Sequence, residues 1–168
     1  MAEKDDQFKS STKFGGIFTF ADFYKFCYNW LMEEIGMEFI EEYKYVEKIK
    51  GNEKEIDVQW RGEKKLTDYF KFEIKVDFEV RMLKEVEIVK DGKKIKTNEG
   101  EVKMKVKGTL VKDYQGKFEK TAGLKFLRSI YEKWVVTSRV TQFEDKIGDD
   151  CGEFLSQAKA WLDLEGRA

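Results

Sequence analysis

Histidine is absent from this 168-residue chain and so is proline; cysteine occurs only twice. No apolar run approaches the ~20 residues that a membrane-spanning helix needs. Without histidine the chain lacks the commonest general base and the commonest metal ligand at neutral pH. Without proline, the boundaries between elements have to be read from glycine and polar turns. An excess of either charge is missing too: 32 Lys and Arg stand against 33 Asp and Glu, a net charge of -1, which gives no global attraction to nucleic acid or to an anionic membrane. The opening stretch Met1 to Lys13 is charged and has no signal-peptide pattern. The expectation is a soluble protein that stays in the cytoplasm, or is built into a virion or other assembly made there.

What the chain does contain is an unusual pairing of 39% charged with 15% aromatic residues, a dense solvated surface around a core of Phe, Tyr and Trp. That apolar content is too high for disorder, and the length fits a single core. Cys27 and Cys151 each fall in an apolar helical pattern, which favours buried free thiols in a reducing compartment over a disulfide.

The strongest pattern runs from Leu66 to Ile88, where Leu66, Phe70, Phe72, Ile74, Val76, Phe78, Val80, Met82, Val86 and Ile88 share one parity and the other is almost wholly charged. A period of two predicts an amphipathic strand. Straight, it would span ~75 Å at ~3.3 Å per residue, so it must bend or break. The expected place is Met82-Leu83-Lys84, where Leu83 is apolar on the wrong parity. Asp91-Gly92 predicts a type I′ hairpin that pairs Ile88 with Ile95. Folding back from it, one extra residue within Thr97–Gly100 is expected to set Lys105 opposite Glu79 and Lys107 opposite Asp77.

Two shorter strands are expected before it, Met37–Ile49 and Ile56–Trp60, with turns at Lys50–Glu53 and Arg61–Lys64. An aromatic helix of about 20–35 starts at a Thr19/Asp22 capping box and stops at Gly36. Helical periodicity returns at about 118–136 and again to about Leu164, where Val140, Ile147, Phe154 and Trp161 recur every seven residues. Residues 1–16, closing on Gly15-Gly16, read as a flexible N-terminal arm before a single domain over 17–168. The fold class is therefore α+β: a strongly curved antiparallel sheet of four or five long strands, one aromatic helix before it and two helices after it packed on its apolar face. In outline this is similar to the helix-grip ligand-binding proteins, at the level of shape alone; no family is assigned.

No residue is singled out as catalytic, cofactor-binding or metal-binding. Neighbours in Asp149-Asp150-Cys151-Gly152-Glu153 point ~100° apart on a helix, which suits a solvated face. Cys151 as a nucleophile has no histidine to ionise it. The Lys103–Lys107 strand is neutralised by Glu73, Asp77 and Glu79 beside it, which argues against nucleic acid, and the glycines match no phosphate-binding fingerprint. The reading is a non-enzymatic protein-binding or self-assembling subunit, partnered by protein as a homo-oligomer or within a larger assembly. Phe23, Phe26, Tyr28 and Trp30 of the first helix and Phe154 and Trp161 of the last are its expected aromatic anchors, with sheet edges expected in Met37–Ile49 or Lys93–Leu110. The alternative is a protein that binds a small hydrophobic ligand in a cavity between sheet and helices, lined by Phe70, Phe72, Phe78 and Trp134.

Overall fold

A computed structural model describes residues 3–115, 121–131, 133 and 137–166. Alternation builds the sheet as the sequence predicts. Strand β4 (Phe70–Lys90) places Phe70, Phe72, Ile74, Val76, Phe78 and Val80 at no more than 1% exposure, while Lys75, Asp77 and Glu79 between them stay half-exposed. Around it stand β1 (Glu3–Phe18), β2 (Phe39–Lys50), β3 (Glu53–Lys65) and β5 (Lys93–Lys112). The five form one open antiparallel sheet in the order β1-β5-β4-β3-β2.

The N-terminal stretch is a correction to the arm reading. Residues Glu3 to Phe18 are an edge strand whose ladder on β5 runs from Glu3↔Lys112 to Phe18↔Asn98. The same finding removes Lys93–Leu110 as a free edge, because β5 lies between β1 and β4. Arg61–Lys64 is not a turn either: it continues β3, and the chain reverses over Leu66–Tyr69 instead. Gly62 sits there because a Cβ would come within 2.9 Å of Ile74 Cγ2, so the glycine is a close-packing residue rather than a turn residue.

The break in β4 falls where the parity fails. The register shifts between Arg81 and Lys84, Met82 adopts φ 54°, and Leu83 turns into the core. The extra residue is on β4, not in Thr97–Gly100, so Lys105 stands opposite Asp77 and Lys107 opposite Lys75. Lys105 still reaches Glu79 on the diagonal at 3.3 Å, and Lys107 pairs with Asp6 of β1 at 3.3 Å. Beyond the bulge Ile88 pairs with Ile95, and Asp91 (φ 53°) with Gly92 (φ 77°) closes the hairpin with the positive angles of a type I′ turn.

Helix α1 (Phe20–Trp30) continues into a π-helical turn, Leu31–Ile35, that ends at Gly36 with φ 78°. Its N-cap Thr19 makes no capping bond of its own. The Thr19 hydroxyl pairs with that of Thr97 at 2.9 Å, and the first helical N–H, of Phe20, donates to Asn98 Oδ1 at 3.2 Å. The cap is thus supplied across the molecule by β5. Helix α2 (Ala122–Ile130) and the long helix α3 (Thr137–Gly166) follow the sheet. Ile147, Cys151, Phe154, Ala158 and Leu162 form the buried stripe of α3, packed over β1 and β5. No residue of α2 is buried, so of the two later helices α3 is the one that covers the apolar face.

Candidate functional site: an uncovered edge strand

The aromatic residues expected to meet a partner mostly meet one another. Phe23 and Phe154 are fully buried, which corrects their reading as interface anchors: no surface is left on either. Phe23 stands edge-on to Phe78 at 5.9 Å and 5.5 Å from Trp161; Phe26 stacks on Trp161 at 5.8 Å, and Trp30 lies tilted against Phe154 at 5.6 Å. The two apolar helices are each other's partner. Phe26, Trp30 and Trp161 remain half-buried at the margin of this contact, and Tyr28 is 40% exposed.

The expected pocket fares no better. Phe70, Phe72 and Phe78 are core residues at 1% exposure, and the space beside Phe72 and Phe143 amounts to about 10 Å³. A gap of that size holds about one water at most, so among the described residues Phe72 borders no room for a ligand there. Trp134 lies outside the described residues.

Burial also disposes of the thiols. Cys27 and Cys151 are free and buried, and burial, with Asp150 adding to it, pushes the Cys151 thiol up to about 12. A thiol so held is protonated and inert at neutral pH. Among the described residues no group of three or more Cys, Asp or Glu is placed to hold a metal ion, and no helix is long and apolar enough to cross a membrane.

What the fold leaves open is β2. It is an edge strand of 12 residues in which every residue is exposed except Ile40, which is half-buried. The outward row is Phe39, Glu41, Lys44, Val46, Lys48 and Lys50, opposite Glu63, Arg61, Gln59, Asp57, Glu55 and Glu53 of β3. Ile40, Glu42, Tyr45, Glu47 and Ile49 share the inner side, and Tyr43 is the extra residue of a bulge between Glu42 and Lys44. Helix α3 packs over the β1 and β5 half of this face, and α1 reaches β2 through Tyr24, so two clefts open along the inner side of β2. One, of about 560 Å³, is lined in part by Phe20, Tyr45, Glu47, Ile56, Leu83 and Asn98. The other, of about 350 Å³, is lined by Tyr24, Lys25, Tyr28, Ile40, Glu42 and Trp60.

A polar chain fixes β2 to the helix beneath. Trp60 Nε1–H donates to the Tyr24 hydroxyl at 3.0 Å, and that hydroxyl donates to Glu42. Burial and the Glu42 carboxylate raise the Tyr24 pKa well above the ordinary phenol value, so it keeps its proton. Arg61 lies 5.7 Å over the Tyr43 ring on the outer side, and Lys54 holds Glu47 at 3.0 Å. Glu42, Tyr43 and Glu47 are held by these contacts, while the outer backbone edge of β2 pairs with no strand among the described residues.

Sequence reasoning found Met37–Ile49 as a possible edge but ranked the helices above it. Phe39, Tyr43, Tyr45 and Ile49 share one parity, as in any half-covered strand, and it is the bulge at Tyr43 that turns Phe39 outward while Tyr45 and Ile49 stay on the inner side. The sequence matches no family model, and comparison with curated proteins and with solved structures returns no match.

Proposed function

We propose that this chain is a protein-binding subunit that works by strand addition at β2. The observation that carries the reading is the contrast between its two sheet edges. On β1 the outward row includes Lys4, Lys9 and Lys13, the inner side carries Ser10 and Thr12 between the half-buried Phe8 and Phe14, and a bulge interrupts the strand at Gln7. Charge on the edge and a bulge are the usual guards against unwanted pairing. On β2, five large apolar side chains, Phe39, Tyr43, Tyr45, Val46 and Ile49, are exposed on one 12-residue strand. Exposed apolar residues scattered singly mean little, but five of them on the two sides of one unpaired strand suit the capture of another strand.

The test is a variant with Tyr45→Lys and Ile49→Lys, which places charge on the inner side of β2 without touching the core. Both the native and the substituted chain are checked for fold by circular dichroism, sized by sedimentation, and used as bait in the source cell extract. The expected result is that the native chain is recovered in an assembly, with itself or with another protein, and the variant is not. Two chains that are both monomeric and retain the same proteins would overturn the reading.

A further inference from the structure

We infer that the occupant of the β2 edge is the same edge of a second copy, joined antiparallel about a two-fold axis that passes at Tyr45. This inference rests on the strand-addition reading and names its partner.

The argument starts from the polarity of the strand. Glu41 and Glu42 lie toward its start, Lys48 and Lys50 at its end. A parallel neighbour in register would set acid on acid and base on base, whereas an antiparallel copy sets the acidic end against the basic end. A two-fold axis normal to the sheet also keeps faces matched, outward against outward and inner against inner.

Face matching, together with the bulge that takes Tyr43 out of the count, leaves few registers. With the axis at Tyr45, Lys44 faces Val46, Glu41 faces Lys48, Ile40 faces Ile49 and Phe39 faces Lys50, each pair occurring twice. Ile49, 70% exposed in the single chain, gains an apolar neighbour, and the Glu41 and Lys48 pair lies on the wet face. The one unfavourable match is Glu42 against Glu47, and both are already held, Glu42 by the Tyr24 hydroxyl and Glu47 by Lys54 at 3.0 Å. Moving the axis to Val46 sets Lys44 against Lys48; moving it to Lys44 sets that lysine against itself. Pairing at Tyr45 turns two five-stranded sheets into one of ten strands.

The experiment uses the full chain and two kinds of variant. Glu41→Lys and Lys48→Glu are each expected to weaken self-association at least about tenfold by sedimentation, since each sets like charges opposite twice. The double variant, Glu41→Lys with Lys48→Glu, restores the pairing in reversed sense and is expected to recover the dimer. A residue on the axis faces its own copy at a strand-pair Cα separation of ~4.5–5.5 Å, within disulfide reach. Tyr45→Cys is therefore expected to oxidise to a covalent dimer while Lys50→Cys stays unlinked; the native thiols, being buried, do not interfere. A double variant no better than the singles, or Tyr45→Cys that fails to cross-link in a chain that folds, overturns the inference. If the native chain stays monomeric yet loses a different protein in the Tyr45→Lys, Ile49→Lys variant, self-pairing falls and strand addition stands.

Discussion

At the scale of single residues, the molecule is set by where a methyl group fits and where a proton stays. A Cβ on Gly108 would meet Cys151 Sγ at 2.5 Å and Ile147 Cγ2 at 2.9 Å, so here β5 touches α3 through a missing side chain. Gly108→Ala is expected to cost about 1–3 kcal/mol in urea unfolding, the range for overpacking a filled core. Adding Cys151→Ala removes the sulfur and should recover part of that loss, which a double-mutant cycle reads as favourable coupling. The same thiol predicts an alkaline limit. In the unfolded chain it ionises near 9.0, in the folded one at about 12, so between those values only the unfolded state releases the proton. The stability it contributes is complete below about pH 9 and is lost as pH rises toward 12. The urea midpoint should therefore fall from pH 9 upward, and fall less steeply in Cys151→Ala.

At the scale of elements, the aromatic helices and the first strand carry the sharpest expectations. Phe154→Ala should lower stability by about 3–5 kcal/mol and leave the sedimentation of the folded protein unchanged, because Phe154 packs on Trp30 within one chain. Removing residues 1–18 should abolish cooperative unfolding, followed by circular dichroism, since β1 closes the ladder on β5 and underlies α3. Loss of a mobile arm would have done neither. Legibility divides along the same line. The long strand, the Asp91-Gly92 hairpin and the failure of parity at Leu83 were readable because each is decided within a few residues. Which strand held the extra residue was not, because a bulge on β4 and one on β5 leave the same local pattern. Nor was β1: its Ser10, Ser11 and Thr12 look like a linker until Val106, Lys105 and Met104 are set beside them.

At the scale of the whole molecule, the strand order decides what the surface offers. Edge status is a property of the complete sheet, so no reading of Phe39–Lys50 in isolation reveals it; only the order β1-β5-β4-β3-β2 does. Phe23 and Phe154 read as anchors for the matching reason: two apolar helices look unpartnered in a sequence that does not show them side by side. If β2 pairs with its own copy, the thermal midpoint should rise with protein concentration, because mass action favours the associated folded state. The Tyr45→Lys, Ile49→Lys variant should show a midpoint independent of concentration.

The ladder from Glu3↔Lys112 to Phe18↔Asn98 also fixes an order of events during synthesis. Of the five strands of this sheet β1 is translated before the others and its neighbour β5 after them, so β1 waits unmatched while the rest of the sheet is made. Closing so long a loop makes folding slow relative to a helical bundle of equal stability. The lysines and hydroxyls spaced along that waiting segment, the composition that made it resemble a tail, favour its hydration in the interval.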